Sequence, residues 1–251
     1  HINMKIKQIF NKLLHLGGAF ECIACNSSVN TFQGVSHTLR RDANSVICAP
    51  SGFETLNLDA YFCPVCDAND RDRLILNYLL INHGPSTKIL EIAPSKSIRS
   101  KLNVMRFDYR CCDLYMPGVD DVCDITKMTC YEDATFDVVI CSHVLEHIHE
   151  DNKAVAEIAR ILKPNGKALI LVPIPLGLEK NMYDPSLTDP GERIKYYGQN
   201  DHVRMYSKSG LINLISNAGL KVETWDQSNA SIQFDKVGLS STSTLYLAVK
   251  Q

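Results

Sequence analysis

From Pro85 onward the sequence alternates short, almost wholly apolar runs with stretches of helical spacing, and this alternation leaves few architectures open. Runs at 88–93 (KILEIA), 107–112 (FDYRCC), about 119–123, 136–142 (FDVVICS) and 167–173 (KALILVP) have strand length, and 151–163 carries helical periodicity between the last two. A helix at 207–219 and strands at 221–226 and 243–249 bring the strand count to seven. Strands that are apolar on both faces need cover on both sides, which a parallel sheet between helices provides. The expected fold is α/β, with a Rossmann-like seven-stranded sheet. Segment 174–206, rich in Pro, Gly, Tyr and charge, interrupts the alternation.

Residues 20–69 have a different character. Cys22-x-x-Cys25 and Cys63-x-x-Cys66 bracket a stretch rich in Ser, Asn and Thr with few apolar residues for a core and only short strand-like runs such as Ser45–Cys48. Two residues between cysteines let both thiolates of a knuckle reach one tetrahedral ion, and four thiolates close its coordination shell. A structural Zn2+ held in a small zinc-ribbon-like module is the expectation, with two disulfides or free thiols as the alternative. Cys111, Cys112, Cys123, Cys130 and Cys141 read as reduced core or near-core thiols. The stretch 70–83 (DRDRLILNYLLINH) reads as a helix stopped by Gly84-Pro85.

Ahead of the cysteines, 4–19 carries an amphipathic helical pattern, with Ile6, Ile9, Phe10, Leu13 and Leu14 on one face; it would pack on the rest of the protein or on a second copy in a homodimer, with a membrane-surface anchor as the alternative. Residues 1–3 precede Met4 and read as an added leader without a signal-peptide core, and no apolar run approaches the ~20 residues of a membrane span. A cytoplasmic protein is expected. The 26 Lys and Arg against 28 Asp and Glu, a net charge of −2, supply no field for a long polyanion, so composition gives nucleic acid no support as a partner.

The segment KILEIAPSKSIRSKL resembles the first strand, turn and helix of class I S-adenosylmethionine (SAM)-dependent methyltransferases of the type 11 kind, with Ala93-Pro94-Ser95 where the family usually carries Gly-x-Gly. FDVVICSHVLEHI (136–148) and ARILKPNGKALILVP (159–173) resemble the family's fourth- and fifth-strand segments. The resemblance covers about residues 85–250 and implies a methyltransferase domain over 70–251, with 174–206 folding over the substrate. It implies SAM as cofactor, with Glu91 and Ala93 at the first turn, Asp113 on the ribose, Asp124 and Ile125 at the adenine, and Ser142, His143 and His147 lining the site. Metal and cofactor would then be handled by separate parts of the chain.

Methyl transfer from a sulfonium is an in-line displacement, so such a protein aligns a nucleophile and removes a proton. His202 and His143 are the candidate bases, and Arg204 would bind an anionic group. Arg71 and Arg73, beside Asp67, Asp70 and Asp72, read either as ion-paired or as anion-binding. The expected reaction is methylation of an oxygen or nitrogen on a small, sugar-like or anionic molecule. An RNA methyltransferase using the zinc module for recognition, or a SAM-binding scaffold without catalysis, are the competing expectations.

Overall fold

The computed structural model describes residues 16–37, 46–49 and 51–251. Most of the expected N-terminal helix lies outside the described residues, and its last four positions belong to a strand. That strand, β1 (Leu16–Cys22), pairs antiparallel with β2 (Ser27–Val29) in a small ribbon. The run expected to extend at Val46–Cys48 is instead a turn, closed by Ala49 N donating to the Val46 carbonyl at 2.9 Å.

After the ribbon come α1 (Asp70–Asn82), β3 (Lys88–Ile92), α2 (Lys96–Val104), β4 (Asp108–Asp113), β5 (Asp121–Val122), β6 (Phe136–Ser142), α3 (Asp151–Ile161) and β7 (Leu162–Leu171). A hairpin of β8 (Met182–Tyr183) and β9 (Arg204–Met205) encloses α4 (Pro190–Tyr197), and α5 (Lys208–Asn217), β10 (Leu220–Trp225) and β11 (Leu245–Lys250) follow. Seven strands form one sheet in the order β10-β11-β7-β6-β3-β4-β5, in which only β11 runs against its neighbours. The strand β7 starts earlier than its apolar run because Pro164-Asn165-Gly166 bulges within it. Leu162 pairs with Phe136, the next pair is Lys167 with Val138, and Asn165 takes a left-handed φ of 64° at the bulge.

Period-two alternation sorts the sheet residues between two cores. Ile89, Val138, Ile140, Leu169 and Leu171 pack under α1 and α2, while Leu90, Ile92, Val139, Cys141, Ala168 and Ile170 pack under α3 and α5. Each such aliphatic side chain stabilises the fold by about 1.5–3 kcal/mol through burial alone. Helix α1 starts where Asn69 caps it, accepting from Asp72 N at 2.9 Å.

Arg73 on α1 fastens the cysteine ribbon to the sheet domain. It is fully buried, stacks 4.1 Å from the Phe32 ring centroid, and donates to the carbonyls of Ala60, Tyr61, Ala68, Val237 and Gly238. Its donors are thus spent on backbone from both sides of the junction, which settles its role as structural. Cys130 departs from expectation, being exposed rather than near-core.

The topology positions the site. From β3 the chain winds through β4 to β5 at one edge, then returns to β6 on the other side of β3. Where parallel strands diverge in this way, their carboxyl ends open a crevice for ligands.

Candidate functional site

A cleft of about 640 Å³ lies at that crevice, within the about 300–1,000 Å³ typical of ligand sites. Ala93 after β3, Asp113 at the end of β4, Asp124 and Ile125 beyond β5, and His143 and His147 after β6 all line it. Asp113 accepts the amides of Tyr115 and Met116 at 2.7 Å, both through Oδ1. Asp124 Oδ1 accepts the amide and hydroxyl of Thr126 at 2.8 Å. Ala93 sits at φ 53°, so the turn keeps the left-handed conformation that glycine would adopt freely, at a cost of about 1 kcal/mol for the added Cβ.

Glu91 and Ser142 lie outside this lining. Alternation puts Glu91 on the Ile89 face of β3, where it is 2% exposed, accepts Ser95 N at 2.8 Å and accepts the Tyr109 hydroxyl at 2.5 Å. It shapes the turn from below, and burial pushes its carboxyl up to about 8. Ser142 closes β6 opposite Leu171.

A second cavity, of about 360 Å³, opens on the other side of His143. Its walls come from three parts of the chain: Phe53, Thr55, Leu56 and Tyr61 from the cysteine-rich segment, Arg71 from α1, and Tyr197, Gln199 and His202 from segment 174–206. Arg71 Nη2 donates to the Tyr61 hydroxyl at 3.0 Å, leaving its buried Nε without a partner. His143, at φ 56°, lines both cavities. Burial, helped by the Arg71 charge, pushes the His143 imidazole down to about 4, and burial lowers that of His202 as well. Both rings therefore stand neutral near pH 7, as a proton acceptor must.

Between the two cavities lies Glu146, fully buried, with His143 Nδ1 at 3.0 Å and His202 Nε2 at 4.0 Å from its Oε1. His202 Nδ1 stands 2.7 Å from the Tyr197 carbonyl. Because that carbonyl only accepts, Nδ1 carries the proton and Nε2 the lone pair.

Arg204 does not face either cavity. It pairs with Asp151, donates from Nη2 to the carbonyls of Ile148 (2.9 Å) and His149 (2.7 Å), and lies over the Tyr183 ring. With its terminal nitrogens committed to the start of α3, it holds β9 against the sheet domain, and the expected anion-binding role does not stand.

The four cysteines of the two pairs converge. Cys22 and Cys66 Sγ are 3.7 Å apart and Cys25 and Cys63 Sγ 3.9 Å apart, with all four sulfurs within 4.8 Å of one another. A tetrahedral ion with four bonds of about 2.3 Å requires sulfur separations of about 3.8 Å. The two knuckles repeat one backbone design. Asn26 N bonds to the Cys22 carbonyl and Asp67 N to that of Cys63, and both Asn26 and Asp67 are left-handed, at φ 58° and 62°.

Residues 84–170 match the family described as "Methyltransferase domain". A 57-residue stretch is 39% identical to a sterol 4-C-methyltransferase of Caenorhabditis elegans, spanning 21% of this chain and 17% of that enzyme. Among solved structures, phosphoethanolamine N-methyltransferase 2 of Haemonchus contortus, in complex with phosphomonomethylethanolamine and S-adenosylhomocysteine, aligns over 73% of this chain and 53% of its own length, with a TM-score of 0.50 and 17% identity. A SAM-dependent methyltransferase of Archaeoglobus fulgidus aligns over 72% of this chain and 93% of its own, with a TM-score of 0.47 and 12% identity. Residues 84–170 of this chain thus carry a methyltransferase domain. The chain spans about half the length of the Haemonchus structure and a smaller part of the sterol enzyme.

Within the methyltransferase domain, sequence reading placed six of its eight cofactor candidates on the cleft wall. It missed Glu146, whose signal was the helical spacing His143-x-x-Glu146-His147 inside an otherwise apolar string. It also missed Tyr61 and Thr55, which no local pattern marks as cavity residues.

Proposed function

We propose that this chain transfers a methyl group from SAM, held in the 640 Å³ cleft, to an oxygen or nitrogen of a small molecule held in the 360 Å³ cavity. The observation that carries this reading is His143, which forms part of both walls. In-line displacement needs the acceptor and the sulfonium on opposite sides of one narrow passage. Bound SAM supplies an electrophilic methyl group whose transfer leaves a neutral thioether.

The protein's residues do the rest. Asp113 would accept hydrogen bonds from the ribose through its remaining oxygen, and Ile125 would pack on the adenine. His143, neutral at working pH, would take the proton from the acceptor. Tyr61 and Arg71 would orient a polar or anionic group on it. In this reading the four cysteines hold a structural Zn2+, so the module's purpose is to keep Phe53–Tyr61 in place as the cavity's far wall.

Calorimetry with SAM and S-adenosylhomocysteine tests the first half. Saturable binding that weakens at least about tenfold on Asp113→Ala is expected, the loss of a charged hydrogen-bond partner being worth about 1.5–3 kcal/mol. No binding at millimolar cofactor would overturn the reading. A radiolabelled-methyl screen of small hydroxyl and amine acceptors, repeated with His143→Ala, tests the second half.

A further inference from the structure

We propose that Glu146, His147 and His202 form a second metal site, for a divalent transition cation, distinct from the four-cysteine cluster. One ligand atom from each of the three lies within 4.8 Å of the other two. A carboxylate and two imidazoles are the donors of an open zinc-type site, with at least one coordination position free.

Burial makes the group hard to explain without an ion. Glu146 is 0% exposed, and neither of its carboxylate oxygens has a hydrogen-bond partner. The contact that Oε1 does make is with His143 Nδ1, at 3.0 Å. His202, 3% exposed, turns its bare Nε2 toward the same oxygen, also without a partner. A carboxylate and an imidazole lone pair facing one another repel, and a buried charge is costly unless something positive stands between them.

The surroundings are those of metal ligands. A ligating histidine generally gives its other ring nitrogen to a carbonyl or carboxylate, which fixes its orientation. His202 Nδ1 is held by the Tyr197 carbonyl at 2.7 Å, and His147 Nδ1 lies 3.3 Å from Asp201 Oδ2. The two rings meet edge to face at 4.7 Å. Tetrahedral bonds of about 2.1 Å place donors about 3.4 Å apart, so the 4.0 Å between Glu146 and His202 closes by about half an ångström on binding.

His202 lines the acceptor cavity and His147 the cofactor cleft, so the ion would stand in the wall between them. Its open position would then take an oxygen of the acceptor and acidify it, a step that rests on the proposed function.

The test begins with the metal content of full-length protein after saturation with Zn2+ and desalting. The wild type is expected to retain one more equivalent than Glu146→Gln or His202→Ala, whatever the cysteine cluster holds; equal contents overturn the site. His147→Ala, at a half-buried position, supplies a variant whose core is undisturbed, and in a Mn2+ titration followed by electron paramagnetic resonance it should bind at least tenfold more weakly than wild type. Wild-type protein that leaves the Mn2+ signal unchanged also overturns the site. On protein carrying Zn2+ at the cysteines and Co2+ at the second site, acetohydroxamate should shift the visible band. A band indifferent to it removes the acceptor step and leaves the metal site and the methyl-transfer reading standing.

Discussion

A carboxyl group enclosed by a strand and two helices keeps its proton into the neutral range, and Glu91 is such a group, raised from an ordinary 4.5 to about 8 by burial. A raised folded-state pKa means that between those limits the unfolded chain has lost a proton the folded chain retains. The stability Glu91 contributes is therefore full at the acid end and drains away as pH climbs to about 8. In Glu91→Gln the side-chain carbonyl still accepts Ser95 N, and the amide can donate to Tyr109, with nothing left to titrate. Guanidinium unfolding of wild type and variant should show the wild type losing on the order of a few kcal/mol relative to Glu91→Gln between about pH 5 and pH 8. Parallel pH profiles would mean that Glu91 opens to water and is not the sealed support of the turn described above. The same burial explains why sequence reading placed Glu91 in the cofactor shell. Its position at the strand end is visible in the sequence, but the Tyr109 hydroxyl and Ser95 amide that turn it inward are not.

The cysteine ribbon and the sheet domain divide the site between them. No described residue before Ile92 lines the cofactor cleft, whereas Phe53, Thr55, Leu56, Leu58 and Tyr61 all line the second cavity. The ribbon's own core is Cys22, Val29, Phe32, Cys63 and Ala68, too little apolar surface to hold a fold unaided. In the proposed reading its order comes from Arg73 and from an ion at the sulfurs, because binding free energy at such a site is folding free energy. Cys63→Ser should release the ion and loosen this wall alone. Hydrogen–deuterium exchange is expected to accelerate across 53–61 while β3 and β6 stay protected, and SAM affinity should change by no more than about twofold, since its contacts lie elsewhere. Loss of protection throughout the sheet would show instead that the ribbon is a cornerstone of the whole fold. Unchanged exchange across 53–61 would show that the sulfurs hold nothing that matters to it.

For the molecule as a whole, the sheet was legible because its signals are local. FDVVICS is a strand by its apolar run and its polar exit, and β6 covers those same residues. What local pattern could not supply were encounters between distant residues: Glu146 with His202, Asp151 with Arg204, and Arg73 with Val237 and Gly238. Arg204 read as an anion binder because its partner lies 53 residues away in sequence. Charge distribution, by contrast, can be read at both levels, and here the two agree. The net charge of −2 is accompanied by a cleft whose described lining holds Asp113, Asp124, Glu150 and Asp201 but no lysine or arginine, and by a second cavity with Arg71 as its single such cation. A polyphosphate chain entering this crevice would meet four carboxylates, whereas affinity for RNA is built on basic side chains and released counterions. The expectation is that a fluorescein-labelled RNA hairpin gives no saturable anisotropy change with up to about 10 µM protein in about 50 mM salt, where even non-specific binders begin to respond. Saturable binding that collapses on raising salt to about 200 mM would place a basic face outside both cavities and make RNA the acceptor to pursue. A small acceptor held by Arg71 and Tyr61 predicts silence in that assay, because one half-buried cation recognises one anionic group and has no reach along a chain.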